Sequence, residues 1–297
     1  MTDMTDRRVK NIKTIRAAGR LVKLAGVAGL VICMSMASAC RSSDMQDSRI
    51  IVAGSTSVQP YAELLEEEFA EKVAKESGRK VEVDIQGGGS SAGITSAETG
   101  TADIGISSRE LKDAEKEQLQ YIIEIAKDGL AIIVHPSNPV ADLTFEQIRK
   151  IYTLEIDNWS KLGGKNAKIH IIAREDGSGT RSAFEELVMR KEYEINPKAI
   201  IQDSNGAVRL LVSDDPNSIG FISLGLVEAH EGQKEVKALK LEGVQATPEN
   251  VKNGTYKLSR PFLFVAKIEP TGLAKEFIDF IFSPQGRDIL AKEGLIT

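Results

Sequence analysis

Three stretches of this chain set glycine beside serine or threonine where an apolar run gives way to helical spacing. They are Gly54-Ser55-Thr56-Ser57, Gly89-Ser90-Ser91 and Gly177-Ser178-Gly179-Thr180. A helix N-terminus carries unpaired backbone N–H groups and the positive end of the helix dipole. Glycine lets an anion approach the backbone, and the hydroxyls add donors without bulk, so such corners bind oxyanions. Serine and threonine are also ordinary N-cap residues, so any one corner alone reads as a cap. Three of them at the C-terminal ends of parallel-type strands read as a ligand site, since ligands of open α/β sheets gather there. Arg174 stands just before the third corner, where a guanidinium makes bidentate bonds to an oxyanion. Asp176, two residues on, is placed to pair with Arg174 or to accept a proton from a ligand.

Alternating elements must present these corners. Ile50–Ala53 is a short apolar run. Tyr61, Leu64, Leu65, Phe69 and Val73 then fall at helical spacing until Gly78. Val81, Val83 and Ile85 alternate as in a strand, and a short helix follows to Glu98. Further strands are expected at 102–106, 129–134, 169–173, 218–222, 236–241 and 261–266. Thr144 with Gln147 forms a capping box for a helix through Tyr152. A helix follows Thr180 to about Arg190, and two more close the chain at 274–282 and 284–292, with Ser283 as cap and Pro284 at the first helical position. Strands alternating with helices predict an α/β fold with mainly parallel sheets.

Composition narrows the function. The 297 residues hold 38 Lys+Arg against 43 Asp+Glu, a net charge of -5, which is not the footprint of a nucleic-acid binder. Aromatics make up 5%, too few for a sugar-stacking or single-strand-binding groove. Two cysteines and three histidines leave little for a metal cluster or a disulfide framework. His135, His170 and His230 are isolated in sequence and read as structural, and Trp159 reads as a core or hinge-packing residue.

The first forty residues form a separate object. Seven basic side chains lie between Arg7 and Lys23, and Leu24–Met36 is uncharged, shorter than the roughly 20 residues of a membrane span. Ala37-Ser38-Ala39 precedes Cys40, so residues 1–39 read as an export signal. Small residues directly before a cysteine resemble a bacterial lipoprotein signal, here with Ala37 where leucine is usual. On that likeness Cys40 is acylated, and residues 40–48 are a polar tether between lipid and fold. After cleavage at Cys40 the chain is clearly acidic, with no internal cysteine. Its core alone must hold it together, which this length permits.

From about Ile50 to the C-terminus the chain resembles the phosphate-binding lipoproteins of high-affinity phosphate ABC importers, a periplasmic-binding-protein-like family. The matching segments are Ile51–Pro60, Gln86–Gly93, Ala102–Arg109 and Arg174–Arg181, with Asn158-Trp159, Gly163-Gly164 and Ile219-Gly220-Phe221. The resemblance implies a two-lobed α/β fold of type II, each lobe a mainly parallel sheet flanked by helices, joined by two crossover strands. Lobe one is then 49–128 plus 259–297, and lobe two 129–258. It implies phosphate held between the lobes. Thr56 and Ser57 donate from the first corner and Ser90 from the second. Arg174 supplies charge and is oriented by Asp176, and Ser178, Gly179 and Thr180 donate from the third corner. Ser108 falls where some members carry an aspartate that accepts the phosphate proton. Arg109 is either a second cation of the cleft or a surface residue. The family works without metal, cofactor or catalytic residues. Its partners are inorganic phosphate and the ABC permease and ATPase subunits. The resemblance implies a monomer held by its lipid on the outer face of the cell membrane.

Other readings stand beside this one. The corner physics serves sulfate or molybdate as well as phosphate. A phosphatase or serine hydrolase lacks support, because Asp176 occupies the place where a nucleophile elbow needs glycine, and no P-loop is present. A secondary role as an adhesin or scaffold is left open.

Overall fold

The computed structural model describes residues 48–190, 192–228 and 235–297. The export segment, Cys40, the tether up to Asp47 and His230 lie outside them. Strand β1 (Arg49–Gly54) leads into helix α1 (Gln59–Ser77), and β2 (Glu82–Gly87) leads into α2 (Ser90–Thr99). Strand β3 (Ile104–Ser107) follows, and β1 pairs in parallel with both β2 and β3. After the short α3 (Asp113–Lys116) comes β4 (Tyr121–Val134). Next are β5 (Asp142–Leu143), α4 (Phe145–Tyr152), β6 (His170–Arg174), α5 (Gly179–Phe184), β7 (Ile200–Gln202), α6 (Asn205–Asp214) and β8 (Ser218–Ser223). The chain finishes with β9 (Lys237–Ala238), β10 (Lys240–Leu241), α7 (Pro248–Lys252), β11 (Ser259–Ala266), α8 (Gly272–Phe282) and α9 (Pro284–Lys292).

The main sheet runs β2-β1-β3-β11-β4-β8-β6-β7. Its two ends are parallel: β1 with β2 and β3, and β6 with β7 and β8. Its middle is antiparallel, where β11 pairs with β3 and β4, and β4 with β8. Among the described residues two large cores lie along it, with a smaller cluster around Ile94, Leu111 and Val265. One gathers residues between Ile50 and Ala126 and between Phe262 and Leu295. The other gathers residues between Leu130 and Leu258. The fold is thus the two-lobed, periplasmic-binding-protein-like α/β type, with β4 and β11 passing from one core to the other.

Where those strands cross, Asp128 of β4 and Arg260 of β11 form a buried pair, with Nε and Nη2 of the guanidinium 3.0 and 2.9 Å from Oδ2. Burial pushes the Asp128 carboxyl up and the Arg260 guanidinium down, and the charge and hydrogen bonds of each partner oppose that shift in the other. Removing one partner of such a pair destabilises by about 3–5 kcal/mol, because the other is left buried and uncompensated.

The sequence expectations were partly local and partly wrong in extent. Thr144 and Gln147 close the capping box of α4, and Ser283 caps α9. The strand expected at 129–134 is only the second half of β4. Its first half has Ile122, Glu124 and Lys127 exposed because one face lies open to water. The helix after Thr180 is regular only to Phe184 and continues as a π turn, Glu185–Met189. The run 236–241 is broken into β9 and β10. Helix α6 was not foreseen. His170 is not isolated: its Nδ1 lies 2.6 Å from Asp215 Oδ2. Trp159 is buried in the second core and donates from Nε1 to the Asn217 carbonyl.

Candidate functional site

The three corners meet. Helix α2 reaches the first corner because Gly93 packs on β1 and β3. A Cβ there would lie 2.4 Å from the Ala53 carbonyl oxygen and 2.6 Å from the Gly54 Cα. The third corner is seated from behind by Phe184 of α5, which stacks on Phe221 of β8 at 4.1 Å and 3°. Such a pair adds about 0.5–1.5 kcal/mol beyond its buried area.

Ser57, Ser90, Ser108, Ser178 and Thr180 are all buried, as is Gly179, and Thr56 is half-buried. Their hydroxyls are close to one another. Ser57 Oγ lies 2.7 Å from Thr180 Oγ1, and Ser55 Oγ donates to Ser108 Oγ at 2.9 Å. Ser108 N donates to Ser90 Oγ at 3.0 Å. A Cβ on Gly179 would stand 2.1 Å from Ser90 Oγ and 2.5 Å from Ser108 Oγ, so glycine alone fits at that approach. Ser178 is the N-cap of α5, its Oγ accepting from Arg181 N.

Arg174 is 1% exposed. Nε and Nη2 donate to the two oxygens of Glu175 at 2.8 and 2.9 Å, and Nη2 also donates to Thr56 Oγ1 at 2.9 Å. Nη1 has no hydrogen-bond partner although it is buried. A buried N–H without an acceptor is costly, by about 1–3 kcal/mol and more for a charged group. A guanidinium edge bounded by hydroxyl donors can bind an oxyanion.

Asp176 does not orient Arg174. The Glu175–Ser178 turn carries it out at its tip, where it is almost fully exposed and pairs with Arg181 at 2.9 Å. Glu175 takes the place expected of it. Arg109, left open as cleft cation or surface residue, is buried and tied to Glu115 by two 2.8 Å bonds, with Nη2 also donating to Ser91 Oγ.

A model described as a PBP superfamily domain matches residues 39–285. The chain belongs to the PBP superfamily. Within it, the chain is 32% identical over 265 residues to the phosphate-binding protein PstS of Borreliella burgdorferi, covering 86% of this chain and 92% of the relative. A protein from Clostridium perfringens, crystallised with bound phosphate and described as a phosphate ABC transporter substrate-binding protein, is 46% identical. Its TM-score is 0.75, over 84% of this chain and 99% of that one. An ABC-type phosphate transport receptor from Vibrio cholerae is 36% identical, with a TM-score of 0.68 over the same 84% and 99%.

For this PBP-superfamily chain, sequence reading missed two residues at the corners and left a third without a role. Arg260 Nη1 donates to Thr180 Oγ1 at 2.8 Å. Asn205 Nδ2 donates to Ser57 Oγ at 2.9 Å. Ser55 was seen only as part of its corner. A faint mark was present for both: Arg260 leads directly into an apolar strand, and Asn205 follows Ser204, the N-cap of α6.

Proposed function

We propose that the corners close on inorganic phosphate, with Arg174 supplying the charge and Thr56, Ser57, Ser90, Ser108, Ser178, Gly179 and Thr180 supplying donors. The chain is the substrate-binding protein of a phosphate ABC importer, in a family of transporter solute-binding proteins that act outside the cytoplasm. The observation that carries the site reading is the buried Arg174 guanidinium, whose Nη1 has no acceptor of its own among eight clustered corner residues. The two large cores support lobes of 49–128 plus 259–297 and 129–258. Ligand touching both favours the closed arrangement by its differential affinity. Residues 1–39 are removed as an export signal, Cys40 is lipidated, and a monomer tethered by residues 40–48 delivers phosphate to the permease and ATPase subunits.

Arg174→Ala tests the site. Each charge-assisted hydrogen bond is worth about 1.5–3 kcal/mol, so calorimetry is expected to show at least a hundredfold loss of phosphate affinity. Circular dichroism should stay that of the wild type. Wild-type affinity in this variant would overturn the site assignment.

A further inference from the structure

The buried guanidiniums at the corners carry their own carboxylates, Arg174 with Glu175, Arg260 with Asp128 and Arg109 with Glu115. Recognition of an anion therefore falls heavily on where the hydroxyl protons point. A serine or threonine hydroxyl has one proton to give and two lone pairs to accept with, so its direction is set by its neighbours. A neighbour that can only donate takes up a lone pair and turns the hydroxyl's own proton elsewhere.

Asn205 is such a neighbour. Its Oδ1 accepts from the Ser223 backbone N–H at 3.1 Å. That N–H can only donate, so the amide is fixed with Nδ2 toward Ser57 Oγ, 2.9 Å away. Arg260 treats Thr180 in the same way, since a guanidinium has no acceptor. Ser57 and Thr180 stand 2.7 Å apart with one donor imposed on each. Their mutual contact uses one of their two protons. The other is left for an acceptor at the corner.

We propose that Asn205 is a positioning residue of the anion site, occupying a lone pair of Ser57 so that the Ser57–Thr180 pair keeps one proton for a phosphate oxygen. The proposal rests on the phosphate reading above. Asn205 sits at the start of α6, and its side chain bridges the end of β8 to the β1–α1 corner. It acts through Ser57 and adds no charge.

Two substitutions separate polarity from support. Asn205→Asp keeps the acceptor for Ser223 N–H but replaces the donor facing Ser57 with a carboxylate oxygen. Ser57 then donates to the carboxylate and turns its lone pairs to the ligand. Asn205→Ala removes both contacts and leaves Ser57 free to turn. The aspartate charge by itself also opposes an anion, so both variants are repeated with Ser57→Ala, where the gap between them should shrink to what charge alone supplies; an undiminished gap would show that Asn205 does not act through Ser57. Phosphate calorimetry is expected to give about a tenfold loss for Asn205→Ala and at least about a hundredfold loss for Asn205→Asp, with both chains folded by circular dichroism. Asn205→Asp binding as tightly as Asn205→Ala, or more tightly, would overturn the assignment. Arg174→Ala is run beside them. If it binds like wild type, the phosphate site itself is misplaced. If Arg174→Ala loses phosphate binding while the two Asn205 variants fall in the wrong order, the site stands and the role of Asn205 falls.

Discussion

On the proposed phosphate site, Ser108 is the residue that would set how strictly a proton on the ligand is read. Its hydroxyl accepts from Ser55 and lies 3.3 Å from Ser90 Oγ, and Asp176, the other candidate acceptor, is out in solvent. A hydroxyl can donate or accept, so it penalises unprotonated sulfate less than a carboxylate does. Phosphate at neutral pH keeps a proton that sulfate lacks. In Ser108→Asp, affinity for both anions is expected to fall, because Ser55, Ser90 and Gly179 pack closely around position 108. The preference for phosphate over sulfate should widen by roughly tenfold or more, the cost of an acceptor facing an acceptor. Competition of sulfate against bound phosphate in both proteins checks this. Equal competition would show that position 108 does not read the proton.

At the scale of elements, the start of α5 and the α3 segment each give a test. Gly179→Ala puts a methyl group where the hydroxyls of Ser90 and Ser108 stand. Alanine suits a helix better than glycine, so the fold should hold while the corners fail to meet. A hundredfold or greater loss of phosphate affinity is expected by calorimetry, with an unchanged thermal melt in phosphate-free buffer. Glu115 behaves differently. Burial alone would push its carboxyl up, but hydrogen bonds from Arg109 and the Lys112 N–H, with the Arg109 charge, hold it below the usual range. A lowered carboxyl contributes stability that is present above its unfolded pKa of about 4.3 and is lost as pH falls through the folded value. Urea melts at pH 7 and pH 3 should therefore differ less in Glu115→Gln than in the wild type. A pH dependence identical in the two would remove Glu115 from the account.

For the whole molecule, the expectation is movement about β4 and β11. The corners touch through Ser57–Thr180, Arg174–Thr56 and the Ser91 N–H to the Gly177 carbonyl at 3.1 Å. These corner contacts are polar, whereas each core has its own apolar interior, with Leu226 packed against both. Opening at the corners therefore parts polar contacts and leaves both interiors in place. Small-angle scattering should give a smaller radius of gyration with saturating phosphate than without it. An unchanged profile would argue for a rigid pocket.

Local rules carried the sequence a long way. The capping residues Thr144 and Ser283, the helical spacing of α1 and the three glycine-hydroxyl corners all act within a few residues of one another, so they are legible before any folding. Arg174 and the family resemblance were legible too, because each matching motif is a short continuous segment. The tertiary structure decided the rest. Whether Glu175 or Asp176 meets Arg174 depends on which residue a tight turn lifts into water, and spacing alone does not say. Asp128 and Arg260 are 132 residues apart, and Asn205 and Ser57 are 148 apart. Such contacts exist only once strands pair and the corners close, because a side chain's neighbours across that distance are set by packing rather than by local propensity.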